Sequence, residues 1–394
     1  MIDDRVARHN ARVLAVAQAL GGASPAIIVS LGGLVGQMLH EDKSLATLPV
    51  SLLQVGIAVG AIPAAMLMRS LGRRTGYLIG GTIGVAGGAA AALGVALQSF
   101  ALFCVGTAVS GLYAAFVQSY RFAATDSASA AFKARAISWV MAGGLAGGVI
   151  GPQAVIWTRD LVPQAMFAGS FLAQASLALL TILVVAFLRP APVAIHVMRG
   201  GGRTLGDILR QPRFLVAVAA GLVSYGLMSF VMTAAPVAMV GCGHPVGAAA
   251  LGIQWHVLAM YGPSFFTGGL INRYGKERVT ALGLTLIAAS AAVGLLGISL
   301  GHFWLALVLL GVGWNLSFIG ATTLVTDCYR PEERARVQAA NDFLVFGSVA
   351  VASFSSGQLL NAGGWEAVNW LVFPPVAVVL ALLLWQGRRT ESMA

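Results

Sequence analysis

The run Ile253-Gln254-Trp255-His256-Val257-Leu258-Ala259-Met260 sets an amide, an indole and an imidazole side by side inside a long apolar stretch. His256 is the one histidine that falls well within such a stretch, and imidazole exchanges a proton near neutral pH without any perturbation. An ionisable group at that depth marks function by default. Two roles fit it: a neutral imidazole hydrogen-bonded to its neighbours, or a proton carrier. Polar and aromatic groups recur in other apolar runs, at Tyr113, Phe116, Tyr225, Tyr261, Trp314 and Asn315. A mostly apolar pocket with a few placed polar groups suits a planar, weakly charged solute. The candidate binding residues are therefore His256, Trp255, Gln254, Tyr225, Trp314, Asn315 and Tyr113. Each of them singly is also what helix packing or an interfacial aromatic belt would require.

All 14 Asp and Glu residues lie in tails, loops or the ends of apolar runs, Asp342 nearest to one. A strongly charged solute would need a buried counter-ion and is disfavoured, and the aromatic groups together favour an aromatic solute over a sugar or phosphate. Coupling to protons, if present, falls to His256; passage without coupling is the alternative. One isolated histidine does not make the nucleophile, base or metal set that an enzyme needs. Gly200-Gly201-Gly202-Arg203-Thr204 lacks both the spacing and the lysine of a phosphate-binding loop. Cys104, Cys242 and Cys328 are odd in number and unrelated in spacing, which argues against a disulfide framework or a zinc site. No catalysis, cofactor or metal is expected.

These groups sit in a chain of 394 residues that is 58% hydrophobic and 10% charged, with mean hydropathy +0.84. A soluble domain carries roughly 25% charged residues, so lipid is the solvent. Apolar runs of bilayer length, about 20 residues, span Val13 to Leu39, Leu45 to Met68, Tyr77 to Leu97, Ala101 to Tyr120, Ile137 to Trp157 and Ala165 to Leu188. Six more follow, at Phe214 to Val240, Ala248 to Ile271, Val279 to Leu300, Phe303 to Val325, Phe343 to Leu360 and Val368 to Trp385. The expectation is an all-α membrane protein of twelve helices: residues 1–188 as one half, 189–213 as a linker and 214–394 as the other half. Abundant glycine, 49 residues, fits close helix contacts.

The net charge of +10 does not point to nucleic acid, because the basic residues are spread through short loops instead of clustering on one domain. Of the 24 Lys and Arg residues, all except Lys43 and Arg159 fall on one side of this twelve-helix arrangement. Basic residues stay in the cytoplasm, so both termini and the linker are expected there. The first twelve residues mix acids and bases and lack a signal-peptide cleavage pattern; they read as a retained tail.

An internal repeat supports the two halves. Thr125-Asp126 precedes Ala134-Arg135 by the same spacing as Thr326-Asp327 precedes Ala335-Arg336, and the loops RSLGRRTG and NRYGKER align through Gly72 and Gly275. Matched loops in the same order imply duplicated six-helix halves.

On these residues the chain resembles the major facilitator superfamily over essentially its whole length. Gly268 through Lys276 is similar to that family's loop signature, with Asn272 in the acidic position followed by Arg273, Gly275 and Lys276. In the first half Ala65 takes the glycine position and Arg69 the acidic one, while Gly72, Arg73 and Arg74 keep the pattern. The resemblance implies alternating access, with Gly72, Arg73, Arg69, Asn272, Arg273 and Gly275 gating the exchange and Asp342 offering a partner of opposite charge. Gly143-Gly144, Gly147-Gly148 and Gly151-Pro152 are similar to the glycine-proline signature of drug-proton antiporters, although Gln153 and Ala154 replace the glycines expected next. Gly147, Gly151 and Pro152 are read as helix-packing positions. The segment around His256 resembles a branch that includes riboflavin uptake carriers. Implied are a monomeric carrier in the bacterial inner membrane, a small aromatic or weakly charged solute bound near the bilayer midplane, and protons as a possible partner. A vitamin carrier, a drug efflux antiporter and a non-transporting receptor all remain open.

Overall fold

Lipid offers no partner to a backbone amide, so each crossing segment must satisfy its own, and a helix does this within one segment. The computed structural model describes residues 4–126, 128–189 and 202–391; residues 190–201 of the expected linker lie outside them. Its helices are α1 (Arg5–Gly21), α2 (Ala23–Leu39), α3 (Leu48–Leu71), α4 (Arg73–Ala96), α5 (Phe100–Gln118), α6 (Tyr120–Ala123), α7 (Ala130–Thr158) and α8 (Ala168–Val185). After these come α9 (Leu205–Leu209), α10 (Pro212–Gly241), α11 (Val246–Tyr261), α12 (Ser264–Tyr274), α13 (Lys276–Leu296), α14 (Leu300–Thr326), α15 (Arg334–Trp370) and α16 (Phe373–Glu391).

Ten stretches among the described residues are long and apolar enough to span a bilayer. The last of them, Arg336–Gln386, contains two crossings that part at Gly364, where α15 leaves helical geometry with φ +68° and ψ −170°, and α11 with α12 forms one more, interrupted at Gly262-Pro263. The total is the twelve expected.

Boundaries differ from the sequence reading where amphipathic turns extend an apolar run. The first span begins at Arg5, not Val13, because Ala7, Ala11 and Leu14 form a fully buried stripe. Its basic residues lie over aromatic faces: Arg8 stands 5.7 Å from the Phe132 ring and Arg12 5.7 Å from that of Trp139. The fifth span likewise begins at Ala130 and not at Ile137. The eleventh reaches back to Arg334, so Asp342 stands within a helix instead of at its start. Val337, Val345 and Val349 line its buried side, while Asp342 and Phe343 face outward.

The chain forms two compact units, Met1–Ile195 with Pro245–Gln254, and His196–His244 with Trp255–Ala394. In the first, small residues set the helix spacing. A Cβ at Gly84 would stand 2.6 Å from the Tyr113 ring and one at Gly80 2.6 Å from that of Phe116, so these aromatic rings of α5 lie directly on α4. Tyr77 meets Tyr120 edge-on with ring centroids 4.7 Å apart. On α7, Gly147 and Gly151 face the first span, where added Cβ atoms would approach the carbonyls of Ala19 at 3.0 Å and Ala23 at 2.7 Å. Pro152 follows inside the same helix. In the second unit α13 and α14 cross with Gly313 on the Gly283 carbonyl, 2.8 Å from an added Cβ.

Backbone atoms cannot yield as side chains do, so Gly151→Leu should destabilise the fold by about 1–3 kcal/mol, the usual cost of overpacking. Gly144→Leu is the control, since the nearest neighbour of its Cβ is the flexible Gln18 side chain at 3.8 Å. Thermal unfolding in detergent should show a lower Tm for Gly151→Leu alone; equal Tm values would contradict this packing.

Candidate functional site

Helix α14 carries two adjacent polar-tipped residues that face different partners. Trp314 is 7% exposed and stacks on Phe318, ring centroids 5.3 Å apart at 14°. Tyr225 of α10 meets the edges of Trp314 at 5.3 Å, Phe318 at 5.0 Å and Phe346 of α15 at 5.8 Å. Tyr261 at the end of α11 stands 6.2 Å from Trp314. Five rings thus form one wall in the second unit. Tyr225, Tyr261, Phe318 and Phe346 are only half-buried, and the buried Trp314 Nε1 has no hydrogen-bond partner among the described residues. A wall of π faces with an unused N–H donor is equipped to hold a flat ring bearing a carbonyl.

Asn315 turns the other way, toward the break in the eighth span. Its Nδ2 donates to the Met260 carbonyl and to Ser264 Oγ, each at 2.6 Å, and its Oδ1 lies 2.6 Å from Thr267 Oγ1. All of its polar capacity faces this span.

His256 is fully buried on the α14 side of α11. Its Nδ1 lies 2.8 Å from the Leu307 carbonyl. A carbonyl only accepts, so Nδ1 carries a proton, and in the neutral ring Nε2 keeps its lone pair. That Nε2 is buried with no partner among the described residues. Trp255, next to it, is 44% exposed.

The remaining candidates lie in the first unit. Gln254 is nearly buried, and its Oε1 accepts from Gln153 Nε2 of α7 at 2.9 Å. Gln153 was visible in the sequence only as a departure from a glycine pattern. Tyr113 is a core residue of this unit, seated on Gly84 and close to Gly21. The structure therefore gathers Tyr225, Trp314 and the unpredicted Phe318 and Phe346 into one cluster, and holds Tyr113 apart within helix packing.

The two matched loops are alike in detail. Gly72 ends α3 and starts α4 with φ +81° and ψ 161°; Gly275 joins α12 to α13 with φ +89° and ψ 155°. That region is open essentially to glycine alone, at a cost of about 1–3 kcal/mol for other residues. In each unit the base after the turn glycine pairs with the acid of the repeated Thr-Asp. Arg73 Nε donates to Asp126 Oδ2 at 2.9 Å, and Lys276 pairs with Asp327, which also accepts from Arg213 at 2.8 Å. Asp126 and Asp327 were legible only as repeat markers. Of the other candidates for gating, Arg69 and Asn272 are exposed, Arg273 lies 5.2 Å from the Tyr274 ring, and Asp342 accepts from the Asn341 amide.

A third charged cluster ties the start of the second unit to the α14–α15 loop. Glu333 has a fully buried side chain, and it accepts from the Arg203 guanidinium at 2.8 Å and from the backbone N–H groups of Arg203 and Arg330 at 2.7 and 2.9 Å. Arg203, above all, holds this carboxyl well below its ordinary value of 4.5.

The sequence model of the Major Facilitator Superfamily matches residues 13–353 and again 257–393. The chain belongs to that superfamily and is a multi-pass membrane transporter. It is 60% identical over 389 residues to the riboflavin transporter RfnT of Brucella anthropi, covering 98% of this chain and 97% of that one. An uncharacterised transporter of the same type from Bacillus subtilis, YddS, is 28% identical over 97% of this chain and 92% of its own length. Among solved structures, a mutant of the nucleoside transporter NupG superposes with a TM-score of 0.73 at 14% identity, over 95% of this chain and 98% of that one. This last likeness speaks to the fold alone.

Because the folded Glu333 binds a proton less readily than the unfolded one, its contribution to stability is full above the unfolded pKa and is lost as pH falls below it. Glu333→Gln should lower Tm near neutral pH, and the gap to the wild type should close as pH drops below 4.5. A gap that persists unchanged in acid would show that the clasp does not depend on charge.

Proposed function

We propose that this chain carries riboflavin into the cell across the bacterial inner membrane, by alternating access of the halves 1–188 and 214–394 joined by the linker 189–213. The observation that carries this reading is the 60% identity with a riboflavin transporter over nearly the full length of both chains. The aromatic wall supports it on chemical grounds. The isoalloxazine ring of riboflavin is planar, uncharged and rich in carbonyl and imine acceptors, and it matches stacked rings and an indole N–H better than it matches any site built around an ion pair.

In this reading Trp314, Tyr225 and Trp255 contact the ring system and His256 Nε2 supplies polar recognition or carries a proton, while Tyr113 and Gln254 act through the packing of the first unit. Asn315 acts behind them. Gly72, Arg73, Arg69, Asn272, Arg273, Gly275 and Asp342 govern the rate of conformational exchange, with the Arg73–Asp126 and Lys276–Asp327 pairs made and broken in each cycle. The chain works as a monomer, performs no catalysis and binds no nucleic acid. Both termini and the linker lie in the cytoplasm.

Riboflavin fluorescence should be quenched on binding to the purified protein. Loss of a stacking ring is worth about 1–3 kcal/mol, so Trp314→Ala should weaken binding by about 5- to 150-fold. His256→Gln keeps a hydrogen-bonding group and removes titration; a coupled carrier would then retain exchange and lose accumulation driven by a pH gradient. Unchanged affinity in Trp314→Ala together with Trp255→Ala would place the solute elsewhere, and unchanged pH-driven accumulation in His256→Gln would remove the histidine from coupling.

The orientation has a test in a native residue. Cys242 is exposed in the α10–α11 connection, while Cys104 and Cys328 are buried. An impermeant thiol reagent should label intact cells through Cys242, with the signal lost in Cys242→Ser. Labelling that appears only after the membrane is opened would reverse the topology.

A further inference from the structure

The eighth span is broken at Gly262-Pro263, and the break lies beside the aromatic wall. Pro263 has no N–H, so it cannot donate to the Ala259 carbonyl, and the helix ends there. A broken helix leaves unpaired carbonyls on one side and unpaired N–H groups on the other, which in lipid must find partners. Gly262 N still donates to the Leu258 carbonyl at 2.8 Å, and Thr267 N reaches back to Pro263 at 2.9 Å.

Asn315 is the side chain that grips both pieces. Met260, one residue from the end of α11, gives its carbonyl to Nδ2; Ser264, the first residue of α12, is held by the same nitrogen; and Thr267, one turn further, faces Oδ1. The orientation of the amide is fixed chemically. Reversing it would set Oδ1 against the Met260 carbonyl, two acceptors at 2.6 Å. Asn315 is fully buried, as is Thr267, so water does not take over these bonds. Its neighbour Trp314 is the hub of the wall, and Tyr261, between Met260 and the break, is one of the rings that meets it.

We propose that Asn315 is the positioning residue of the aromatic wall: by bridging α11 and α12 it fixes the bend of the eighth span that sets Tyr261 against Trp314. It acts without touching solute. The proposal rests on the aromatic wall as the solute site, and it has readouts that do not require the solute to be known.

Asn315→Leu keeps the branching at Cγ and removes every hydrogen bond. Thr267→Val removes the hydroxyl that meets both Asn315 Oδ1 and the Pro263 carbonyl, and Thr267→Ser is the conservative variant that keeps it. In nanodiscs, hydrogen exchange of the peptide covering residues 258–268 should quicken by about tenfold or more in Asn315→Leu and measurably in Thr267→Val, and stay at the wild-type rate in Thr267→Ser. The emission of Trp314, isolated as the difference from Trp314→Phe, should shift in the same two variants. For riboflavin uptake, KM should rise about fivefold or more with Vmax kept within about twofold. Unchanged exchange and emission in both variants would overturn the proposal, as would equal damage in Thr267→Ser and Thr267→Val, or faster exchange with an unmoved KM. Should Asn315→Leu fail to fold, the Thr267 pair decides. Should the wild type carry no riboflavin, the substrate assignment falls while exchange and emission still decide the role of Asn315.

Discussion

The spans of this chain answer to one constraint: a backbone polar group that meets lipid has nothing to bond to except the protein itself. Regular helix meets the constraint within each span. Wherever the chain departs from regular helix inside the bilayer, another residue must be recruited, and those recruits are the residues of interest. At Gly262-Pro263 the recruit is Asn315. The departure therefore fixes a local geometry, and α14, which supplies the clamp, also supplies Trp314.

Outside the spans water is available, and the devices change from amide clamps to ion pairs. Duplication makes this plain. Gly72 and Gly275 adopt nearly the same backbone angles, and the base that follows each one finds the acid of the repeated Thr-Asp in its own unit. Two turns with the same strain and the same pair are what two copies of one mechanical part would look like. The acidic position of the loop holds Arg69 in the first copy and Asn272 in the second, whereas a base–acid pair, Arg73–Asp126 or Lys276–Asp327, occurs in both.

Much of this could be read in advance. The twelve spans and the positive loops are properties of composition, and lipid leaves few alternatives to a run of twenty apolar residues. The repeat aligned Asp126 with Asp327 but did not say what they bind, since spacing along the chain does not show which loops meet. Helix starts were misplaced where the amphipathic stripes of Ala7, Ala11 and Leu14, or of Val337 and Val345, carry a helix past the end of its apolar run. Within the candidate site, residue type pointed to Trp314 and Tyr225, which the structure brings together, and to His256, which it sets against the Leu307 carbonyl. It could not separate Trp314 from Asn315, because consecutive helical residues point about 100° apart, given 3.6 residues per turn, and only packing tells which one faces the wall. Phe318 and Phe346 escaped notice because phenylalanine in a span is ordinary until its neighbours are known.

Counterflow in proteoliposomes tests the central claim most directly. Vesicles holding the purified protein and loaded with unlabelled riboflavin should transiently accumulate labelled riboflavin from outside. Accumulation should saturate, be blocked by excess flavin and be reduced in Trp314→Ala. Labelled flavin that never exceeds the level in protein-free vesicles, while another solute exchanges through the same preparation, would contradict the assignment and leave the superfamily fold in place.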